Sequence, residues 1–124
     1  MDVLIYEGDF MAKPRMVRSD KYKKRKVTSR YWAFKALLVI AAKKQKFVLG
    51  DNVIMEFQIA MPQSWSKKKK DRMYGTPHQQ RPDLDNFIKT IGDCLKAEDS
   101  TIYHIEATKI WAAKNKIQIK NIEF

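Results

Sequence analysis

Arg81-Pro82-Asp83-Leu84-Asp85-Asn86-Phe87-Ile88-Lys89 is the stretch that decides how this chain is read. Pro82 has no N–H and drives Arg81 towards extended geometry, which predicts a helix starting at or just after the proline. From there Leu84, Phe87, Ile88, Ile91 and Leu95 recur at helical spacing and mark a face to be buried. Asp85, Lys89 and Asp93, four apart, lie along the opposite side. Asp83 and Asp85 are two apart and would diverge within one helix. They converge only if Asp83 is the cap or pre-helical residue and Asp85 sits in the first turn. Both carboxylates then meet the positive end of the helix dipole, which favours the ionised, metal-ligating form.

The surrounding chain is strongly basic, with 25 Lys and Arg against 14 Asp and Glu and a net charge of +11. Five of those acids nevertheless fall between positions 83 and 99: Asp83, Asp85, Asp93, Glu98 and Asp99. A bare carboxylate cluster repels a phosphate backbone, whereas a divalent metal held by it reverses the local sign. Composition and cluster together point to a metal-dependent enzyme acting on nucleic acid. A plainer account uses the same residues. Asp is a common N-cap, acids are enriched in first helical turns, and Asp85–Lys89 is an ordinary i,i+4 pair. On spacing alone both readings stand.

The same stretch, followed by Asp93 and Leu95, then Asp99-Ser100-Thr101-Ile102 and Lys109, resembles the core signature of the RusA family of Holliday junction resolvases. That signature has a basic residue, Pro, Asp, Leu or Ile, Asp-Asn and a Lys one turn later. An Asp-x-Leu helix end, an acidic pair before Ser and a later Lys follow. The run from Met61 to Lys69, the Pro77-His78 pair and Lys13-Pro14-Arg15 are similar to further features of the family. The resemblance implies that Asp83, Asp85 and Asp99 bind Mg²⁺, with Mn²⁺ as a substitute, and that Lys89 is the catalytic-site lysine. It further implies a homodimer, encoded by a bacterium or phage, that nicks four-way DNA junctions in pairs during recombination and repair. Two departures stand out. Leu95-Lys96-Ala97 leads almost directly to the acidic pair, where the family has a longer, Gly-containing loop. Glu98 also replaces the usual Asp. The third ligand is therefore expected at Asp99, with Glu98 and Asp93 as alternatives.

At 124 residues the chain has room for one domain, taken as 1–124, with a modest core. Hydrophobic content of 44% and aromatic content of 11% exclude a disordered basic tail. The single Cys94 excludes an internal disulfide and a Cys-based zinc site, and is expected as a small buried or half-buried residue. Ala36 to Ala42, the longest apolar run, falls far short of the roughly 20 residues that span a bilayer. Met1 to Ile5 lacks the basic start and apolar body of a signal peptide. A cytoplasmic protein is expected. A pI near 9.8 fits a nucleic-acid ligand and would also fit an anionic membrane. No clean amphipathic basic helix supports the membrane.

In chain order, Val3 to Tyr6 reads as a strand. Lys13 through Lys26 reads as a basic arm that meets phosphates, with Lys13 and Arg15 among its contacts. Thr28 or Ser29 caps a helix to about Lys44, with Tyr31, Phe34, Leu37, Leu38 and Ala41 as its apolar stripe and Trp32 expected in the core. Val53 to Met61 alternates as a strand, and Ser64 caps a short helix through Lys67-Lys68-Lys69-Lys70, a second phosphate-gripping element anchored by Trp65. Arg81 joins the expected DNA contacts, and His78 is a loop histidine with a minority case as general base or phosphate ligand. Ile102 to Trp111 and Ile117 to Ile122 read as strands joined by a hairpin turn at Ala113-Lys114-Asn115-Lys116. Lys109 shares a face with Tyr103, Ile105, Ala107 and Trp111, odd for a core strand, and is expected to point to the site and contact DNA. The order predicts an α+β domain, a small mixed or antiparallel sheet with two main helices packed on it. The rival functions are a non-catalytic DNA- or RNA-binding module and a less selective metal-dependent nuclease.

Overall fold

The computed structural model describes residues 2–14, 26–96 and 98–122. In order, these form β1 (Val3–Glu7), α1 (Lys26–Lys44), β2 (Asn52–Ala60), α2 (Lys67–Met73), α3 (Leu84–Leu95), β3 (His104–Ala112) and β4 (Lys116–Asn121). The architecture is the expected α+β type. One mixed sheet has the strand order β1-β4-β2-β3, and the helices lie in the connections. β2 runs antiparallel to β4 and parallel to β3. A parallel pair needs a long crossover, and here that crossover carries α2 and α3.

Alternation along the strands puts Leu4, Tyr6, Val53, Met55, Phe57, Ile117 and Ile119 on one buried face. α1 packs there through Tyr31, Phe34, Leu38 and Ala42, and α3 through Phe87 and Ile91. The Phe57 and Phe87 rings stack at 5.0 Å between centroids, and Phe10 meets Phe87 edge-on at 5.4 Å. Each such pair adds about 0.5–1.5 kcal/mol beyond its buried area. α3 is thereby fixed to the centre of the sheet. Cys94 is buried between α3 and α1, 3.7 Å from the Tyr31 hydroxyl. Burial pushes its thiol up, so it stays protonated at neutral pH.

The outer edge of β3 is covered by the loop between α2 and α3. Gly75 N donates to Trp111 O, Trp111 N to Thr76 O, and His78 N to Lys109 O, at 2.9, 3.0 and 3.0 Å. An otherwise open edge is thus closed by backbone pairing.

Several local expectations change. β3 and β4 do not form a hairpin, because β2 lies between them. Their link passes the end of β2, where Asn115 Oδ1 accepts from Ala60 N at 2.8 Å and Met61 N donates to Ala112 O at 3.0 Å. A turn sequence specifies a reversal of direction and not the strand it returns beside. α1 is already helical at Lys26, and Thr28 is buried inside it rather than capping it. Its buried positions, Thr28, Tyr31, Phe34, Leu38 and Ala42, rotate Trp32 and Leu37 outward to 50% and 56% exposure. Lys35 lies over the Trp32 ring instead. α2 is capped by Ser66, whose Oγ accepts from Lys69 N at 3.1 Å, and not by Ser64. Most of the basic arm, including Arg15, lies outside the described residues.

Candidate active site

α3 begins where the proline rule places it. Asp83 is its N-cap, in extended geometry, and Asp85 lies in the first turn. The Arg81–Pro82 peptide is cis. The plainer capping account would have the Asp83 side chain bonded to the first turn, yet that side chain makes no capping bond. The backbone carbonyl of Asp83 accepts from Asn86 N and Phe87 N instead, at 3.1 and 3.3 Å. Among the described residues no ion pair joins Asp85 to Lys89. Neither acid is consumed by the role that a purely structural account assigns to it.

Asp85, Ile88, Lys89 and Gly92 follow one another at helical spacing along one side of α3. With Asp99, Ile102 and Ile105 they line a hollow of about 340 Å³. Asp99 comes from the loop after α3 and lies against Gly92. A Cβ added at Gly92 would stand 3.8 Å from Asp99 Oδ2. The hollow therefore carries two carboxylates and one ammonium in a protein of net charge +11. Asp83 is exposed at the head of the same helix but does not line it. Among the described residues, no three Asp, Glu, His or Cys side chains are gathered as a metal cage. A larger hollow of about 600 Å³ lies at the other end of the sheet, between Glu7, Asp9, Gln58 and Asn115, and shares none of these residues.

The alternative acids point elsewhere. Glu98 Oε1 accepts from Ser100 N at 3.1 Å, and the bonds from Ser100 hold its carboxyl below the usual range. Asp93 stands 3.8 Å from Lys13 Nζ, on the side of α3 where Lys13 N also donates to Thr90 Oγ1 at 2.7 Å. Lys13 is thus tied to α3.

Of the other expected DNA contacts, Arg81, Lys67 and Lys68 are exposed. Lys69 lies over the Trp65 ring at 4.2 Å, and Trp65 packs on Trp111 at 4.9 Å, so Trp65 anchors α2 as expected. Lys109 does share the core face of β3, opposite Phe57, but its Nζ donates to the carbonyls of Gln80, at 2.5 Å, and Pro82, at 2.8 Å. It pins the approach to α3. His78 is buried against Trp111 at 4.3 Å and is not part of the hollow's lining. Burial, and then the Lys109 charge, push its pKa down, so the ring is neutral.

Gly92 was not singled out from the sequence, although a lone glycine inside a helical pattern costs about 1 kcal/mol against Ala and so flags a close approach. Gly92→Ala is expected to raise the melting temperature, since the added methyl makes only an ordinary contact. Gly92→Leu pushes into the space of Asp99 and should lower it. Thermal melts of the two variants beside the parent chain check this.

The crossover helix of this basic α+β fold thus presents an aspartate and a lysine to a hollow that a second aspartate also lines. The family profile for endodeoxyribonuclease RusA matches residues 8–121, nearly the whole chain, and the chain belongs to this family of Holliday junction resolvases. No curated protein gives a significant match. Nucleases of the family depend on divalent metal. The donor set fits one. Asp85 and Asp99 offer only oxygen, and Mg²⁺ binds through one or two carboxylates plus substrate phosphate rather than an all-protein cage. Among the described residues, no helix is long and apolar enough to cross a membrane.

Proposed function

We propose that this chain is a magnesium-dependent endonuclease that resolves four-way DNA junctions by paired nicks. Residues 1–124 act as one nuclease domain, and two copies form a homodimer in the cytoplasm of a bacterium or of a phage's host. The observation that carries the reading is the gathering of Asp85, Lys89 and Asp99 around one hollow. Asp85 and Asp99 would hold the metal, with Asp83 at the head of α3 as a further carboxylate. A bound Mg²⁺, or Mn²⁺ in its stead, would supply charge neutralisation at the scissile phosphate and a lowered pKa for its water. Asp83 and Asp85 sit at the N-terminal, positive end of α3. Lys89, one turn on, places an ammonium where charge builds on the phosphoryl oxygens. Lys67, Lys68 and Arg81 grip flanking phosphates, which adds affinity and salt dependence without sequence choice. Two copies related by a two-fold axis present two sites to a junction of the same symmetry.

The test incubates the protein with an immobile four-way junction and a matched linear duplex, each with and without magnesium. Paired nicks on the junction alone, dependent on magnesium, are the expected result. Equal cutting of the linear duplex would make the chain a less selective nuclease. Binding without cutting under every condition would leave only a DNA-binding module.

A further inference from the structure

The loop that carries Asp99 is short. α3 ends at Leu95, and Ile102 N already donates back to Asp99 O at 3.1 Å. The segment is also held from outside. Asp51, in the turn before β2, reaches both of its ends. One carboxylate oxygen, Oδ1, accepts from Thr101 Oγ1 at 2.7 Å and from Lys96 Nζ at 2.7 Å. Lys96 directly follows α3, and Thr101 stands two residues beyond Asp99. The Lys96 ammonium also donates to Leu49 O at 3.2 Å, and the backbone carbonyl of Asp51 accepts from Tyr103 N at 2.9 Å.

The Asp51 turn is itself held from behind. Gly50 N donates to Asn121 Oδ1 at 2.7 Å, and Asn121 Nδ2 donates to Val48 O at 2.8 Å. A Cβ at Gly50 would stand 2.9 Å from Asn121 Oδ1, so a larger residue there would push the Asn121 amide aside. The hydrogen bonds from Lys96 and Thr101 hold the Asp51 carboxyl below the usual range, and it is ionised at neutral pH. A continuous set of bonds thus runs from β4 through Asn121, Gly50 and Asp51 to the loop that places Asp99 against Gly92.

We infer that Asp51 is a positioning residue for Asp99: through Lys96 and Thr101 it clasps the short loop and holds the Asp99 carboxylate in the hollow beside Asp85. It touches neither metal nor substrate. The inference rests on the catalytic reading of the hollow.

The experiment compares Asp51→Ala, Asp51→Asn and Thr101→Val in the full chain with three readouts. These are amide exchange at Ile102, the magnesium concentration for half-maximal junction cutting, and junction binding without metal. Asp51→Ala is expected to speed exchange at Ile102 about tenfold, the cost of a hydrogen bond or two. It should raise the magnesium requirement roughly 10- to 100-fold, as loss of outer support does at other metal sites. Metal-free junction binding should stay within about twofold, since no phosphate contact is touched. Asp51→Asn keeps the acceptor oxygen and should behave nearly as wild type. Thr101→Val, losing one of the two bonds, should fall between, and it keeps the test alive if Asp51→Ala does not fold. Unchanged exchange in Asp51→Ala would refute the clasp. Faster exchange with an unchanged magnesium requirement would refute the positioning of Asp99. A wild-type chain that cuts nothing with magnesium would instead bring down the catalytic reading, and the role of Asp51 in it, while exchange still reports whether the loop is clasped.

Discussion

Asp85→Asn is expected to lower junction cutting by about 10³-fold while leaving junction binding in place. The magnitude follows from what the carboxylate is asked to hold. A divalent ion at a phosphoryl oxygen supplies several kcal/mol of transition-state stabilisation, and each 1.36 kcal/mol is a factor of ten. Asn keeps the shape and one acceptor oxygen but loses the charge that binds a hard cation. Stability offers no competing explanation of comparable size. Asp85 is exposed and has no ion pair to Lys89 among the described residues. Its substitution forfeits only a favourable placement at the helix N-terminus, about 0.3–1 kcal/mol. Metal-free binding should hold or tighten slightly, because a negative charge leaves a phosphate-facing surface. Single-turnover cutting and metal-free band shifts on the same preparation decide it. A variant that cuts within tenfold of wild type would show that the metal is held without Asp85.

How much of this was open to view in the sequence can be traced residue by residue. α3 was legible because one strong signal, Leu84, Phe87, Ile88, Ile91 and Leu95 in helical register after Pro82, depends only on near neighbours. The order of elements followed for the same reason. The sheet order did not, since nothing in Ala113 to Lys116 says that β2 stands between the strands they join. α1 shows the limit of periodicity. The expected and observed stripes share Tyr31, Phe34 and Leu38 and differ at their edges, where Leu37 turns outward and Thr28 and Ala42 turn inward. At the site, Asp99, Glu98 and Asp93 could not be separated by spacing. What distinguishes their directions is a contact two residues away for Glu98, with Ser100, and one eighty residues away for Asp93, with Lys13. Lys109 was noticed on the right face, but its partners are carbonyls of Gln80 and Pro82, and backbone acceptors leave no mark on side-chain identity. Asp51 was visible only as part of a turn, because its partners Lys96 and Thr101 lie 45 and 50 residues away.

The two lysines near α3 lead to the second large effect. Lys109 is spent on backbone carbonyls, whereas Lys89 projects from the exposed side of the helix into the lining of the hollow. Lys89→Ala is expected to cut at least about 10²-fold more slowly, the scale of removing one preorganised donor from a developing negative charge. Ala is the better helix former and the site is exposed, so the fold should lose nothing measurable. Binding should weaken by no more than one phosphate contact, seen as a salt slope about 0.9 shallower. Lys89→Arg separates charge from shape. It keeps the charge but replaces a compact ammonium by a planar fork, so binding should be fully retained while cutting recovers only in part. If Lys89→Ala instead lost binding and cutting in the same proportion, the ammonium would be gripping substrate in its ground state. Stabilisation of the departing charge would then have to come from the metal and its carboxylates alone.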